Sequence, residues 1–399
     1  MDNPFNYTKK ELTQIFNEVN TLFYDKVDEG IAEYTLKGLK KLFEGAMKAE
    51  VEGYLKAEKY DHQDPSERVD YRNGYYHRNL VTSFGLIEDL AVPRTRKGDY
   101  RPSLFEPYER RWKRVDDWIR DLFISGVSTR DVSWVMESLL KVEVSPSEVS
   151  VIAQALDNQV RAFHRRELTD DYVYLFLDGI VVKVRSCGKV RKKLVLVAYG
   201  IKSDGTRELI DYRPANSESE NDWLVFLNDL YRRGLKGERL RMIIIDGGKG
   251  LKAALDMVYP HVRRQRCWVH KLRNLANKLP VRYRDECLKG ARKIYLAANK
   301  REAIKCFKAW QRKWDKLVPK VVDCLEVDLE ELLTFFDEDK ELWSKLRTTN
   351  AIERIFRELR KRTRPMCSFA NIHSCDRIIF CLFKKYNNKW KEHRYHVAA

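Results

Sequence analysis

The chain has 399 residues, 76 of them lysine or arginine against 59 aspartate or glutamate, for a formal charge of +17. Its 44% hydrophobic content is enough for packed cores and excludes wholesale disorder, and its length accommodates two to four domains. No run approaches the ~18 consecutive apolar residues of a membrane span, and the opening MDNPFNYTKKELTQ lacks the apolar centre of a signal peptide; the expected setting is cytoplasmic, with nucleic acid rather than acidic lipid as the polyanionic partner.

From residue 10 to about 60 apolar residues recur at helical spacing. They are Leu12, Ile15, Phe16, Val19, Leu22 and Phe23, then Leu36, Leu39, Leu42, Phe43, Ala46, Met47 and Tyr54. An N-terminal helical domain over 1–69 is expected, its stripe serving as core or in part as a dimer contact. Tyr71-Arg72-Asn73-Gly74 reads as a turn. The runs 76–83 and 87–92 flank Phe84-Gly85 and are expected to pair as a hairpin. A basic loop, Val92–Gly98, follows, so 70–101 reads as hairpin plus loop. Arg94 and Arg96 there are candidate phosphate contacts; a merely solvated loop is the plainer alternative.

Over 102–167 two helices are expected. Ser128 can cap the first, through Val135. After a break at Lys141–Val144, Ser145-Pro146-Ser147-Glu148 offers an N-cap, a proline at the first helical position and the glutamate of a capping box. This second helix is expected to run to about 162. Such a pair suits a helix-turn-helix reading DNA, with Arg130 and Ser147 as candidate contacts, or an ordinary pair in a bundle.

Strands are expected over 172–184, 191–201 and 205–213, with turns at Gly188-Lys189 and Ser203-Asp204-Gly205. A helix follows with Trp223, Phe226, Leu227 and Leu230 on one face, then a strand at 241–246, a helix at 249–258 and a strand near 262–268. Residues 168–270 thus read as an α/β sheet whose later strands run parallel to the first. Residues 271–345 are helix-forming throughout, with a capping box at Asn299–Glu302 and Ala303, Phe307, Trp310 and Trp314 on one face: an all-helical insertion. The closing segment, 346–399, opens with the helix NAIERIFRELRKRTR. Asn350 and Glu353 can form another box, Ile352, Ile355, Phe356 and Leu359 form the sheet-packing face, and Pro365 is expected to end it.

Three acidic residues carry the chemistry. Asp178 ends the run Tyr172–Leu177. Asp246 ends Met242–Ile245 and precedes Gly247-Gly248, and Glu353 shares a helix face with Arg357, Arg360 and Arg364, beside Arg354. Alone, each aspartate is an ordinary turn residue and the glutamate a capping residue. Together, two strand-end carboxylates and one helical one suit a divalent metal site, because close carboxylates repel without a cation. Two Mg²⁺ ions about 4 Å apart, with Mn²⁺ as an alternative, support in-line attack on a phosphodiester, and the four arginines are candidate DNA contacts. Cys267-Trp268-Val269-His270 holds a Cys-x-x-His pair that is half of a zinc site at most, since no second pair exists. His270 is expected at a strand end, donating a hydrogen bond to a phosphate. The eight cysteines include no Cys-x-x-Cys and read as reduced thiols.

The strings YRNGYYHRNLVTSFGLIEDLAVPRTRKG, FISGVSTRDVSWVM, LFLDGIVVKV, ESENDW, IIIDGGKGL, RCWVHKLRNL and NAIERIFRELRKRTR occur in order over nearly the whole chain, most weakly over 1–60. With them the chain resembles the bacterial insertion-sequence transposases related to plant Mutator elements. The resemblance implies an RNase H-like α/β catalytic core with an all-helical insertion, preceded by helical and helix-turn-helix DNA-binding domains. It implies a DDE triad of Asp178, Asp246 and Glu353 acting with Mg²⁺, and the signature pair Cys267 and His270, with His270 counted among the catalytic residues. It further implies double-stranded DNA as partner, at transposon ends and target, in the nucleoid, at least a homodimer, and no small-molecule cofactor. A structure-selective nuclease of the same fold and a non-catalytic DNA-binding regulator are the rival readings.

Overall fold

The computed structural model describes residues 33–56, 69–106, 109–186, 188–392 and 394–396; the helix expected over 10–32 and the stretch 57–68 lie outside the described residues. The chain divides into two compact units, Met1–Ala153 and Gln154–Ala399, and each is taken by itself.

In the first unit, helix α1 (33–55) lays Phe43 and Met47 against Leu80, Ile87, Leu90 and Val92 of a two-stranded sheet, β1 (Arg72–Thr82) and β2 (Gly85–Thr95). The hairpin closes where Thr82 Oγ1 donates to the Gly85 carbonyl (2.9 Å) and accepts from Phe84 N–H (3.1 Å). The turn expected at Tyr71–Gly74 is instead strand. Gly74, at φ +71°, is absorbed as an irregularity in register between Arg72 and Tyr75, since one residue of extra backbone can be taken up by a bulge without ending the pairing. Helices α2 (Lys113–Ile124), α3 (Thr129–Leu140) and α4 (Pro146–Gln154) follow. Ser128 caps α3 through Asp131 N–H (3.2 Å), and left-handed Lys141 closes it. Ser145 and Glu148 exchange the two hydrogen bonds of a capping box (3.2 and 2.8 Å).

The helix after Ser145 stops at Gln154 rather than near 162, and a new one, α5 (Asp157–Arg165), begins the second unit. The cause is tertiary. Asp157 is gripped by Arg377 (2.6 and 2.9 Å), and Phe163 packs edge-on to Phe380 and Phe383, so α5 takes its direction from those partners.

The second unit is built on a five-stranded sheet of order β5-β4-β3-β6-β7: β3 (Tyr172–Ser186), β4 (Lys189–Lys202), β5 (Arg207–Ala215), β6 (Met242–Ile245) and β7 (Arg263–Arg266). The first three pair antiparallel through short turns; β6 and β7 join parallel to β3. Parallel entry needs a crossover, supplied by α6 (Glu220–Arg232) and α7 (Lys249–Val258). Leu175, Leu177, Leu196, Ile243 and Ile245 bury one face of the sheet against Trp223, Phe226, Leu227, Leu251 and Leu255 of those helices. Helices α8 (Trp268–Lys278), α9 (Val281–Tyr295), α10 (Lys300–Trp314), α11 (Pro319–Glu326), α12 (Leu329–Leu333) and α13 (Trp343–Leu346) come next. Asn299 caps α10 through Glu302 N–H, and Ala303, Phe307, Trp310 and Trp314 are all buried. Helices α14 (Asn350–Met366) and α15 (Ile372–Trp390) close the unit.

Two expectations for α14 fail. Its N-cap is Thr349 with no side-chain cap bond, so the Asn350–Glu353 box does not form; Asn350 is already helical. Nor does Pro365 end the helix, which continues to Met366 and stops at Cys367, φ +55°. A tether follows: Phe369 N–H donates to the Lys183 carbonyl and Arg185 N–H to the Phe369 carbonyl (both 2.9 Å), tying the exit of α14 to β3.

Candidate active site

Strand parity builds the acidic cleft. Leu177 and Ile245 are register partners in the parallel β3–β6 pair and both face α6 and α7. On β3 the next residue, Asp178, therefore faces the opposite side, and Asp246 is the first residue beyond the end of β6. Parallel neighbours sit about 4.8 Å apart, so the two carboxylates start from adjacent backbone. Asp246 is held by Gly248 N–H (2.9 Å) and Asp178 by Gly179 N–H (2.8 Å). Gly247, at φ +91°, turns the chain sharply after Asp246, where any Cβ would strike the Arg266 guanidinium.

Helix α14 brings the third carboxylate to that side. Ile352, Ile355, Phe356 and Leu359 are buried, so Glu353 is carried at its inner edge. Asp178, Gly179, His270, Arg273, Glu353, Phe356 and Arg360 together line a small cleft of about 210 Å³. His270 Nε2 lies 3.7 Å and Arg273 3.9 Å from the same Glu353 oxygen.

Asp178 is only 6% exposed. Burial pushes its carboxyl up to about 7; the charges of Asp246 and Glu353 add to this, against opposition from His270 and Gly179 N–H. His270 is raised to about 9, chiefly by attraction to the Cys267 sulfur and further by Asp178 and Asp246. Its Nδ1 makes no hydrogen bond of ordinary geometry, so the sulfur contact is a loose one.

The Cys-x-x-His pair is a clamp. His270 lies in the first turn of α8, not at a strand end. Cys267 N–H donates to the Ile245 carbonyl (2.8 Å), one residue before Asp246. Its buried sulfur accepts from Thr349 N–H (3.3 Å) and Thr349 Oγ1 (3.4 Å), and Thr349 is the N-cap of the helix bearing Glu353. One residue, through its backbone N–H and its sulfur, thus ties the end of β6 to the Glu353 helix. Burial opposes ionisation of the thiol, but His270 and Thr349 outweigh it and hold the group below its usual range. The sulfur is engaged by Thr349, and among the described residues no three or more His, Cys, Asp or Glu side chains are already gathered as a metal site, the three carboxylates included.

The remaining candidates separate. Arg360 lines the acidic cleft, whereas Arg354, Arg357 and Arg364 are exposed on α14 outside its lining. Arg94, Arg96, Arg130 and Ser147 are exposed in the first unit, the last two on α3 and in the first turn of α4.

One acidic residue was missed. Glu218, in the loop before α6, reaches both strand ends: a Cβ on Gly179 would stand 3.1 Å from its Oε1, and one on Gly248 4.0 Å from its Oε2. Burial and Asp246 raise its pKa. Gly250 makes this approach feasible, because a Cβ there would collide with the Glu218 carbonyl. The signal was present as two strings, ESENDW and DGGKG, whose contact the sequence does not reveal.

A mixed α/β protein with a carboxylate cleft edged by arginine belongs among enzymes and binding proteins of polyanions, and comparison narrows the class. Residues 8–393 match the family described as Transposase, Mutator family. The transposase for insertion sequence element ISRM5 of Rhizobium meliloti is 36% identical over 354 residues, 89% of this chain and 88% of that protein. The transposase for IS406 of Burkholderia multivorans is 37% identical, covering 89% and 90%; that for IS256 in transposon Tn4001 of Staphylococcus aureus is 33% identical, covering 91% and 94%. The chain belongs to the Mutator family of transposases.

Proposed function

We propose that this transposase cleaves DNA at the ends of its insertion sequence and joins the freed 3′-hydroxyl to a second phosphodiester, using Asp178, Asp246 and Glu353 as a DDE triad on an RNase H-like core. The observation that carries the reading is the adjacency of Asp178 and Asp246, one residue beyond the Leu177–Ile245 parallel pair and on the face where α14 brings Glu353. The sheet order, three antiparallel strands continued by two parallel ones, supports the core assignment.

The donor set suits a hard divalent cation. It is all carboxylate oxygen, and Asp178 is buried without an ion-pair partner among the described residues, its pKa raised as expected of a carboxylate short of countercharge. Mg²⁺, or Mn²⁺ in its place, held by Asp178, Asp246 and Glu353, would stabilise charge on the attacking and leaving oxygens. The chain's own residues do the rest. His270 donates a hydrogen bond to a phosphate oxygen, Arg273 and Arg360 orient the scissile phosphate at the rim, and the Cys267–Thr349 clamp fixes the carboxylate spacing. In the first unit, α3 and α4 act as a helix-turn-helix on the terminal inverted repeats, α4 entering the major groove with Arg130 and Ser147 at the contact. The enzyme works as a homodimer that pairs two DNA ends, in the cytoplasm on the nucleoid. Among the described residues no helix is long and apolar enough to cross a membrane.

The test is a cleavage and strand-transfer assay on labelled element ends with the full chain and Asp178→Asn. Both products are expected from the parent and neither from the variant. Cleavage without joining would identify a structure-selective nuclease instead, and unchanged activity in the variant would remove Asp178 from the mechanism.

A further inference from the structure

The first unit holds a much larger cleft than the carboxylate site, about 920 Å³, lined by the β1–β2 hairpin, residues from 98–105 and 110–111, the connection between α3 and α4, and the start of α4. Five arginines line it, Arg78, Arg94, Arg101, Arg110 and Arg111, against two glutamates, Glu143 and Glu148. Glu148 is already committed, to Arg111 (3.1 Å) and to the Ser145 cap. Arg111 also binds Asp116 (3.0 Å), so its charge is compensated. The other four arginines have no ion-pair partner among the described residues.

Two of the four are held in place by aromatic rings. Arg78 lies over Phe105 at 4.3 Å and Arg94 over Tyr76 at 5.6 Å, where Arg94 also donates to the Tyr75 carbonyl (3.3 Å). Stacking fixes a guanidinium plane without consuming the N–H donors along its edge. The chain has thus pre-oriented planar forks and left them without anions. Planar forks match phosphate oxygens two at a time. The rings themselves are not on offer: Phe105 is buried beneath Arg78, and Tyr76 is half-buried with Arg94 over it. A wall of guanidinium edges over covered rings grips a backbone; it does not stack bases.

We propose that this cleft binds the phosphodiester backbone of duplex DNA, without regard to sequence, through arginines that lie outside α3 and α4. The proposal rests on the reading of the chain as a DNA-acting enzyme, and binding in EDTA separates the two because no cleavage is needed. The probe is a fluorescein-labelled duplex of random sequence, titrated with the full chain at several salt concentrations. Each phosphate contact contributes about 0.9 to the slope of log K against log salt. Replacing Arg78, Arg94, Arg101 and Arg110 together by glutamine is expected to flatten the slope by about 3.6, with element-end and random duplex weakened by similar factors, because phosphates carry no sequence information. The thermal midpoint should stay near that of the parent. Where loss of the stacked arginines unfolds the protein, Arg101→Gln with Arg110→Gln serves instead, both being exposed, and should flatten the slope by about 2. A folded variant with an unchanged slope overturns the cleft assignment alone. Failure of the parent chain to bind random duplex at all overturns it together with the DNA reading.

Discussion

The two clefts handle charge in opposite ways. In the first unit, arginines sit at or near the surface, two of them over rings, where solvent screens their mutual repulsion and holding them costs little. In the second unit a carboxylate is buried next to two others, and burial disfavours its charged form enough to raise it to about 7. The first arrangement needs only a hairpin and a neighbouring segment. The second needs a sheet in correct register, a helix delivered to it and a clamp between them, because burying an ionisable group is costly and the rest of the unit must hold it there.

The comparison breaks most sharply on activity. Asp246→Asn and Glu353→Gln each remove one charge and little volume, and each is expected to abolish strand cleavage in both Mg²⁺ and Mn²⁺, with duplex affinity in EDTA close to that of the parent. A variant retaining cleavage removes that residue from the site. If instead either loses duplex binding in EDTA, the division of labour between gripping and cutting is wrong.

Next in size is a stability effect. The folded Asp178 carboxyl titrates near 7 against 3.8 for the ordinary group. Its protonated form is favoured by folding, so its contribution is full below 3.8 and lost as the pH rises through about 7. In metal-free protein, Asp178→Asn should therefore raise the thermal midpoint at pH 8 more than at pH 5. The difference should correspond to a few kcal/mol at most, at about 1.4 kcal/mol per pKa unit. Melting curves in EDTA at the two pH values check it; a uniform shift would mean that the buried charge is not the cause.

Cys267→Ala should cost about 1–2 kcal/mol through the lost sulfur packing and the unpaired Thr349 donors, read as a lower midpoint in urea. It should also slow cleavage, because it loosens the link between the Asp246 strand and the Glu353 helix. His270→Ala is expected to slow cleavage without unfolding and without loss of bound zinc, as metal analysis of the purified protein would report. The smallest effect belongs to Glu218→Gln: the residue is partly solvated, and relieving its repulsion on Asp246 should stabilise the metal-free protein by about 0.5 kcal/mol or less. A destabilised variant would show that Glu218 is held by contacts rather than merely tolerated.

Local chemistry was legible wherever the signal spans a few residues. Ser128, Ser145 with Glu148, and Asn299 with Glu302 cap the helices that their spacing suggested, because a cap needs only its own first turn. The strands, α6 and the buried face of α14 were legible from periodicity, and Asp178 and Asp246 from their places at the ends of apolar runs. What the sequence could not decide depended on partners far along the chain. The helix after Ser145 breaks where Asp157 meets Arg377; α14 starts without its expected box because Thr349 is drawn to the Cys267 sulfur; and Glu218 joins the cleft because Gly250 lets its loop approach. Sequence by itself determined which residues could carry charge, cap a helix or face a core, since those follow from local geometry and solvation. Only the tertiary structure decided which of them meet, since parallel register and helix docking are set by the summed burial of distant apolar faces and leave no local mark.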